Sequence, residues 1–309
     1  MGDFLTGVPA LRALRRALPD HDLVLAAPPV LEPLARLAGV AGRLHPAIGL
    51  APFRWQEQAP ELAVNLHGRG PQSHRLLSEL CPGRLVGYGC PEAGVPGPPW
   101  RAEEHEVHRW CRLVADFFDV PADPGDLTLA VPALPPPVRS AVVIHPGAAY
   151  PARRWPPERF AQVARWAAAQ GWPVVVTGTA DETALADRVR HGAGLPEAAL
   201  LAGRTDLVQL ASLVADARLV VCGDTGMAHV ATAFGTPSVV LFGPVSPARW
   251  GPATDGPHAC LWRGVTGDPW AGRVDPGLLG ISVEEVVRCA EAMVRRTSGP
   301  ARGTTPVSV

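Results

Sequence analysis

The sequence predicts an α/β protein of two domains built on parallel sheets. Short apolar runs alternate with helix-period patterns along the whole chain, which is how βαβ units read. The 309 residues suffice for two domains of ordinary size. A hydrophobic content of 47% supports a sizeable core. The Pro-Pro-Pro run within 132–138 reads as a stiff linker between an N-terminal domain, 1–136, and a C-terminal domain, 137–281. A final helix over 282–296 and a polar, disordered tail over 297–309 complete the expected organisation.

In the N-terminal part the patterns place helices over 8–17 and 103–118 and strands over 23–26, 62–66 and 84–87. The C-terminal part opens with a buried strand over 141–144. Pro156 and Pro157 suit a helix start, Phe160, Val163, Ala164 and Ala167 recur at helical spacing, and Gly171 suits the helix end. A strand over 173–177 and a helix over 182–190 follow. Thr205 caps a helix whose one face carries Leu207, Leu210, Ala211 and Val214. Strand 219–222, helix 227–234 and strand 238–242 come next. Ser282 with Glu285 forms a capping box for the last helix.

Composition excludes several chemistries. The net charge of −1 gives no electrostatic reason to expect nucleic acid as partner. The sequence contains no lysine, so a pyridoxal phosphate Schiff base and a P-loop lysine are both excluded. None of the six cysteines forms a CxxC pair, which argues against a zinc ribbon and fits reduced thiols in a cytosolic protein. Asp3, Arg12, Arg15 and Arg16 interrupt the first apolar stretch, unlike a signal peptide, and no apolar run reaches membrane-spanning length.

The strongest local signal is VVCGDTGMAHVATAFGTPSVVLFGP, 220–244. It puts Asp224, Thr225 and Gly226 at the carboxyl end of a strand, where open α/β sheets bind ligands. Gly226 lets a ligand approach the backbone, and the following helix aims free N–H groups and a positive dipole end at it, as a diphosphate requires. His229 lies on the same side of the first turn. The competing reading is that Asp224 and Thr225 only cap the helix. A second loop, HPGAAYPARRWPP, offers Gly147 for close approach and Arg153 as the forked donor, preferred over Arg154. In a third, TGTADE, Glu182 could accept from ribose hydroxyls or simply favour a helix start. Together these loops suit a nucleoside diphosphate, and the absence of GxGxxG after a strand counts against a dinucleotide dehydrogenase. His105, His108 and Cys111 recur at i, i+3, i+6, a spacing open to a metal but better explained by a packed helix face. Trp250, Trp262 and Trp270 could stack on a sugar or base, with ordinary packing as the alternative.

At these residues the sequence resembles glycosyltransferase family 9, the ADP-heptose:lipopolysaccharide heptosyltransferase-like proteins. The resemblance is carried by GDFLTGVPALRALRRALP, AVNLHGRGPQSHRLL, HPGAAYPARRWPPERFAQVA, LAGRTDLVQLASLVADARLVVCGDTGMAHVATAFGTP and LFGPVSPARWGP, between residues 2 and 252. It implies a GT-B fold, two Rossmann-like domains facing a cleft, with the last helix crossing back onto the N-terminal domain. It implies inverting transfer of a heptose-like sugar from an ADP-linked sugar nucleotide to a glycan or lipid-linked acceptor, with no tightly bound metal. The expected setting is cell-envelope glycan biosynthesis in the cytoplasm, with peripheral association at the inner face of the membrane.

By the same resemblance Asp3 is the general base, Arg153 the phosphate-loop cation and Glu182 the ribose contact, and Asp224, Thr225, Gly226 and His229 bind the donor. From their place after an N-terminal strand, Asn65, His67, Gly68 and Arg69 are expected to line the acceptor side. Two departures stand out. Ala148 and Ala149 occupy positions where the family often has hydroxyl residues. The family also has a strand before its Gly-Asp motif, whereas Gly2-Asp3 follow directly on Met1, so the N-terminal sheet is expected without its first strand, as from a start codon placed too late. A sugar-nucleotide epimerase or hydrolase, and a catalytically inactive nucleotide-binding module, would use the same donor pocket.

Overall fold

The computed structural model describes residues 1–40, 42–52 and 54–298. Its N-terminal half comprises α1 (Gly2–Ala17), β1 (Val24–Ala27), α2 (Glu32–Ala38), β2 (Arg43–Pro46), β3 (Leu62–Val64), α3 (Gln72–Ser78), β4 (Arg84–Val86) and α4 (Glu106–Phe118). β1 pairs in parallel with β2, and β3 with β4, but no ladder joins the two pairs among the described residues. These short ribbons are held by helices. α1 begins six residues before the start that the pattern predicts; it carries Gly7 and Pro9 inside the helix, and such residues usually mark a boundary. Leu5, Val8, Leu11 and Leu14 are buried along its length. Arg12 on α1 donates from Nη1 to Asp126 O (2.9 Å) and from Nη2 to Thr128 O (2.6 Å) and Ala38 O (3.0 Å), tying the helix to two other segments.

The C-terminal half comprises β5 (Val142–His145), α5 (Pro157–Ala169), β6 (Val174–Val176), α6 (Thr183–Ala193), α7 (Leu207–Asp216), β7 (Leu219–Gly223), α8 (Gly226–Ala233), β8 (Ser238–Leu241), α9 (Pro247–Trp250), β9 (His258–Leu261), α10 (Pro276–Leu279) and α11 (Val283–Ser298). Its five strands form one all-parallel sheet in the order β6-β5-β7-β8-β9. Strands β5 to β8 are buried at nearly every residue because helices cover both faces, whereas the edge strand β9 is only half-buried. Val143, Val175, Val220 and Val240 turn to the side of α7 and α8, while Val142, Ile144, Val221 and Leu241 turn to α5, α6 and α11.

The first of these cores runs through both halves. α1 packs on α4 and on α8, so Leu5, Val8 and Leu11 share one apolar cluster with Met227, Ala228 and Val230. Area removed from water stabilises by roughly 25 cal/mol per Å², and this contact fixes the start of α1 against the start of α8.

One expectation is corrected. Over its described residues the last helix packs on the C-terminal half rather than crossing back onto the N-terminal domain. α11 lies on α5 and on strands β7 to β9, with Val286, Ala290, Met293 and Val294 in the same core as Trp155 and Phe160. Its apolar stripe is thus satisfied within the C-terminal half. The helix runs to Ser298, and the rest of the expected tail, 299–309, lies outside the described residues. No helix among the described residues is long and apolar enough to cross a membrane.

Candidate functional site

The strand order puts the carboxyl ends of β6, β5 and β7 side by side, so the loops that follow them meet in one crevice. After β7, Asp224 is buried and its N–H donates to Leu241 O at 3.1 Å, which continues the ladder one residue past the strand. Thr225 is the N-cap of α8, its Oγ1 accepting from Met227 N–H at 3.3 Å. Thr225 therefore does the capping, while the Asp224 carboxylate faces Arg153 instead.

Arg153 ends a 3-10 turn, Pro151–Arg153, in the loop after β5. Its Nη1 lies 3.8 Å from Asp224 Oδ2, and its buried Nε has no hydrogen-bond partner among the described residues. The approach depends on Gly223, where a Cβ would stand 3.0 Å from Arg153 O. Arg154 is committed elsewhere, donating from Nε to Ala148 O at 2.8 Å and bracing the loop. A half-buried guanidinium with an unused, buried Nε donor, next to the first turn of a helix, is suited to phosphate oxygens.

Glu182 accepts from Thr179 N–H at 2.9 Å, completing a capping box. Its carboxylate also lies against Gly147, where a Cβ would overlap it. Glu182 thus makes the helix-start contact weighed for it, and its carboxylate also lies on the crevice wall.

Burial pushes the Asp224 carboxyl up to about 6, against the opposing pull of Arg153. Burial, reinforced by nearby His105, pushes His229 down to about 4, so its imidazole is neutral at pH 7. The His229 ring meets Trp250 edge-on at 6.2 Å.

α1 completes the site. A Cβ at Gly2 would stand 3.1 Å from His229 Cδ2, and one at Gly226 would stand 3.1 Å from Gly2 N. Gly2 and Gly226 therefore let two helix N-termini touch. Asp3, in the first turn of α1, is exposed one residue beyond this contact.

Other candidates separate cleanly. His67 and Arg69 are exposed on the loop after β3. Asn65 is corrected: it is buried and braces that loop, donating to Ser73 Oγ (2.9 Å) and accepting from His67 N–H (3.0 Å), so it offers nothing to an acceptor. His105 Nδ1 accepts from Val107 N–H at 3.2 Å, which leaves Nε2–H to donate to Gly251 O at 3.0 Å across the two halves. Cys111 is buried in a small apolar cluster, and no three His, Cys, Asp or Glu among the described residues are grouped to hold a metal ion. Trp262 donates to Gly243 O (3.1 Å) and is structural; Trp270 is exposed.

Sequence reasoning passed over His145 and Thr177. Both stand at the carboxyl ends of adjacent parallel strands, and His145 Nδ1 lies 3.0 Å from Thr177 Oγ1. The signal was available: once 141–144 and 173–177 are read as neighbouring parallel strands, their terminal residues must meet at the crevice.

The profile of glycosyltransferase family 9 (heptosyltransferase) matches residues 98–264. Lipooligosaccharide heptosyltransferase 2 of Haemophilus influenzae is 35% identical over 129 residues, 40% of this chain and 36% of the relative. Lipopolysaccharide heptosyltransferase 1 of Pseudomonas aeruginosa is 34% identical over 154 residues, 48% of this chain and 42% of the relative. Such sequence matches span less than half of these relatives' length. The fold likeness is longer. The solved E. coli ADP-heptose lps heptosyltransferase II superposes with a TM-score of 0.75 at 20% identity, covering 96% of each chain. A glycosyl transferase family 9 structure from Veillonella parvula gives 0.77 at 19% identity, covering 96% of this chain and 95% of that one.

Proposed function

We infer that this chain, which belongs to glycosyltransferase family 9 and has the GT-B fold, transfers a heptose-like sugar from an ADP-linked donor, with inversion, to a glycan or lipid-linked acceptor. The observation that carries the reading is the contact of the α1 start with the α8 start. It brings Asp3, an exposed carboxylate, next to the turn holding Asp224, Gly226 and the partly unpaired Arg153.

In this reading Asp3 takes the proton of the acceptor hydroxyl as that oxygen attacks the anomeric carbon from the face opposite the leaving diphosphate. One carboxylate suffices, because the departing nucleoside diphosphate needs its charge stabilised more than it needs a proton. Arg153 and the free N–H groups of α8 supply that stabilisation. Neutral His229 and Asp224 orient the donor, and Glu182 contacts the ribose. His67 and Arg69 face the acceptor. Work at the inner membrane face fits a lipid-linked acceptor and belongs to the same proposal.

The test is calorimetric titration of ADP, UDP, GDP and NAD into the wild type and Asp224→Ala. ADP binding that is selective and lost in the variant supports the donor site; a folded protein that binds no nucleoside diphosphate, or only NAD, refutes it. Asp3→Asn should then retain ADP affinity and lose at least about 100-fold in transfer rate, the contribution of a general base. Donor consumed at the same rate with and without acceptor would instead favour the epimerase or hydrolase.

A further inference from the structure

We propose that His145, oriented by Thr177, is a specificity-determining residue that reads a ribose hydroxyl of the nucleotide near Glu182; this rests on the donor-site reading above. His145 closes β5 and is half-buried at the crevice, two residues before Gly147. The Glu182 carboxylate lies against Gly147 and opposes the effect of burial on His145, which lowers the affinity of the ring for a proton. The imidazole is neutral and therefore has one donor and one acceptor nitrogen.

Which nitrogen does which follows from Thr177. Ile144 O already accepts Thr177 N–H at 2.9 Å and is 3.5 Å from the threonine hydroxyl, whereas His145 Nδ1 is 3.0 Å from it. The hydroxyl donates to Nδ1, the shorter and uncommitted partner. Nε2 then carries the hydrogen and has no other partner among the described residues. The crevice thus holds an N–H donor near a carboxylate whose second oxygen is unused by the Thr179 cap. A donor near an acceptor matches a cis-diol, in which one hydroxyl donates to the carboxylate while its neighbour accepts from the ring. Thr177 is nearly fully buried and serves to fix the tautomer, not to touch the ligand.

The experiment measures dissociation constants of ADP, 2′-deoxy-ADP, 3′-deoxy-ADP and pyrophosphate for the full chain as wild type, His145→Leu, His145→Gln, Thr177→Val and Glu182→Gln. In the wild type one of the deoxy nucleotides should bind more weakly than ADP by about 5-fold, the worth of one net hydrogen bond. His145→Leu should lose that preference and about 5-fold in ADP affinity, with pyrophosphate unchanged. His145→Gln, which restores an N–H, should recover part of it, and Thr177→Val should lose it while retaining the ring. A folded His145→Leu or Thr177→Val protein with the wild-type ratio of ADP to both deoxy nucleotides overturns the assignment and leaves the donor site intact. Failure of the wild type to bind ADP would overturn both.

Discussion

Replacing Gly147 by Ala separates the two roles of Glu182. The new Cβ would overlap the Glu182 carboxylate, whereas ordinary contacts between such atoms need about 3.5 Å. The carboxylate must withdraw by roughly 1 Å or more, and its bond from Thr179 N–H, 2.9 Å long, cannot survive that shift unchanged. The lost cap costs about 1 kcal/mol, which lowers Tm by about 2–4 °C in a domain of this size. The ribose contact is charge-assisted and worth about 1.5–3 kcal/mol, so ADP affinity should fall about 10- to 100-fold. Pyrophosphate, which reaches only Arg153 and α8, should bind as before. Glu182→Gln provides the control, since glutamine still accepts from Thr179 N–H but has no charge. It should weaken ADP with little change in Tm. Calorimetry with both ligands and a thermal melt decide the matter. Full ADP affinity in a Gly147→Ala protein whose melt shows the cap lost would refute the placement of Glu182 in the nucleotide site.

Arg153→Ala should weaken ADP and pyrophosphate alike by about 10- to 100-fold, because it removes a charged donor aimed at phosphate and not at the nucleoside; an effect confined to ADP would contradict this in the same titration. Asp224 predicts a pH dependence of stability. Its carboxyl stands near 6 when folded, above its usual 3.8, so the folded state holds the proton more tightly and stability falls as pH rises from about 4 to about 6. Asp224→Asn should therefore gain up to about 3 kcal/mol over the wild type by pH 8 relative to pH 4, while losing donor affinity; parallel stability curves from urea melts would refute the buried charge. Phe160, fully buried edge-on to Trp155 at 5.1 Å, should cost about 3–5 kcal/mol on truncation to Ala, read as a lower urea midpoint.

Four of the C-terminal strands were legible because they are buried on both faces; β9, with His258 and the exposed Cys260 at the sheet edge, was not read from the sequence. Val142 to Ile144 and Leu219 to Cys222 are continuous apolar runs, and Gly or Pro marks the turns between elements. The N-terminal half carries weaker signals. β2 includes Arg43, His45 and Pro46, exposed or half-buried on a two-stranded ribbon, and so lacks any apolar period. α2 and α3 have only seven residues each, about two turns, too few to establish one. Among site residues, spacing located the Asp224–Gly226 turn and favoured Arg153 over Arg154, but it carried no reason why Arg154 turns away. That depends on the 3-10 turn, which leaves Arg154 to brace Ala148 O. Asn65 misled for a related reason: a polar residue after a strand can serve the ligand or its own loop, and here burial assigns it to the loop.

The packing of α1 explains why the site needs both halves. Of the two crevice carboxylates that the five-stranded sheet carries, neither serves an acceptor in this reading, since Asp224 is buried against Arg153 and Glu182 is given to the ribose. α1 brings another in, and it can do so only because Gly2 and Gly226 lack side chains where the two helices meet. The contact has an electrostatic cost, because two positive helix ends are brought together. A bound diphosphate offsets that cost, so the arrangement favours an anion in the crevice even before any side chain is counted. The shared apolar core of Leu5, Val8, Met227 and Val230 holds the ends together without the ligand. The position of Asp3 is therefore set by hydrophobic packing several residues away, and its distance from the donor turn should be the same in free and nucleotide-bound protein.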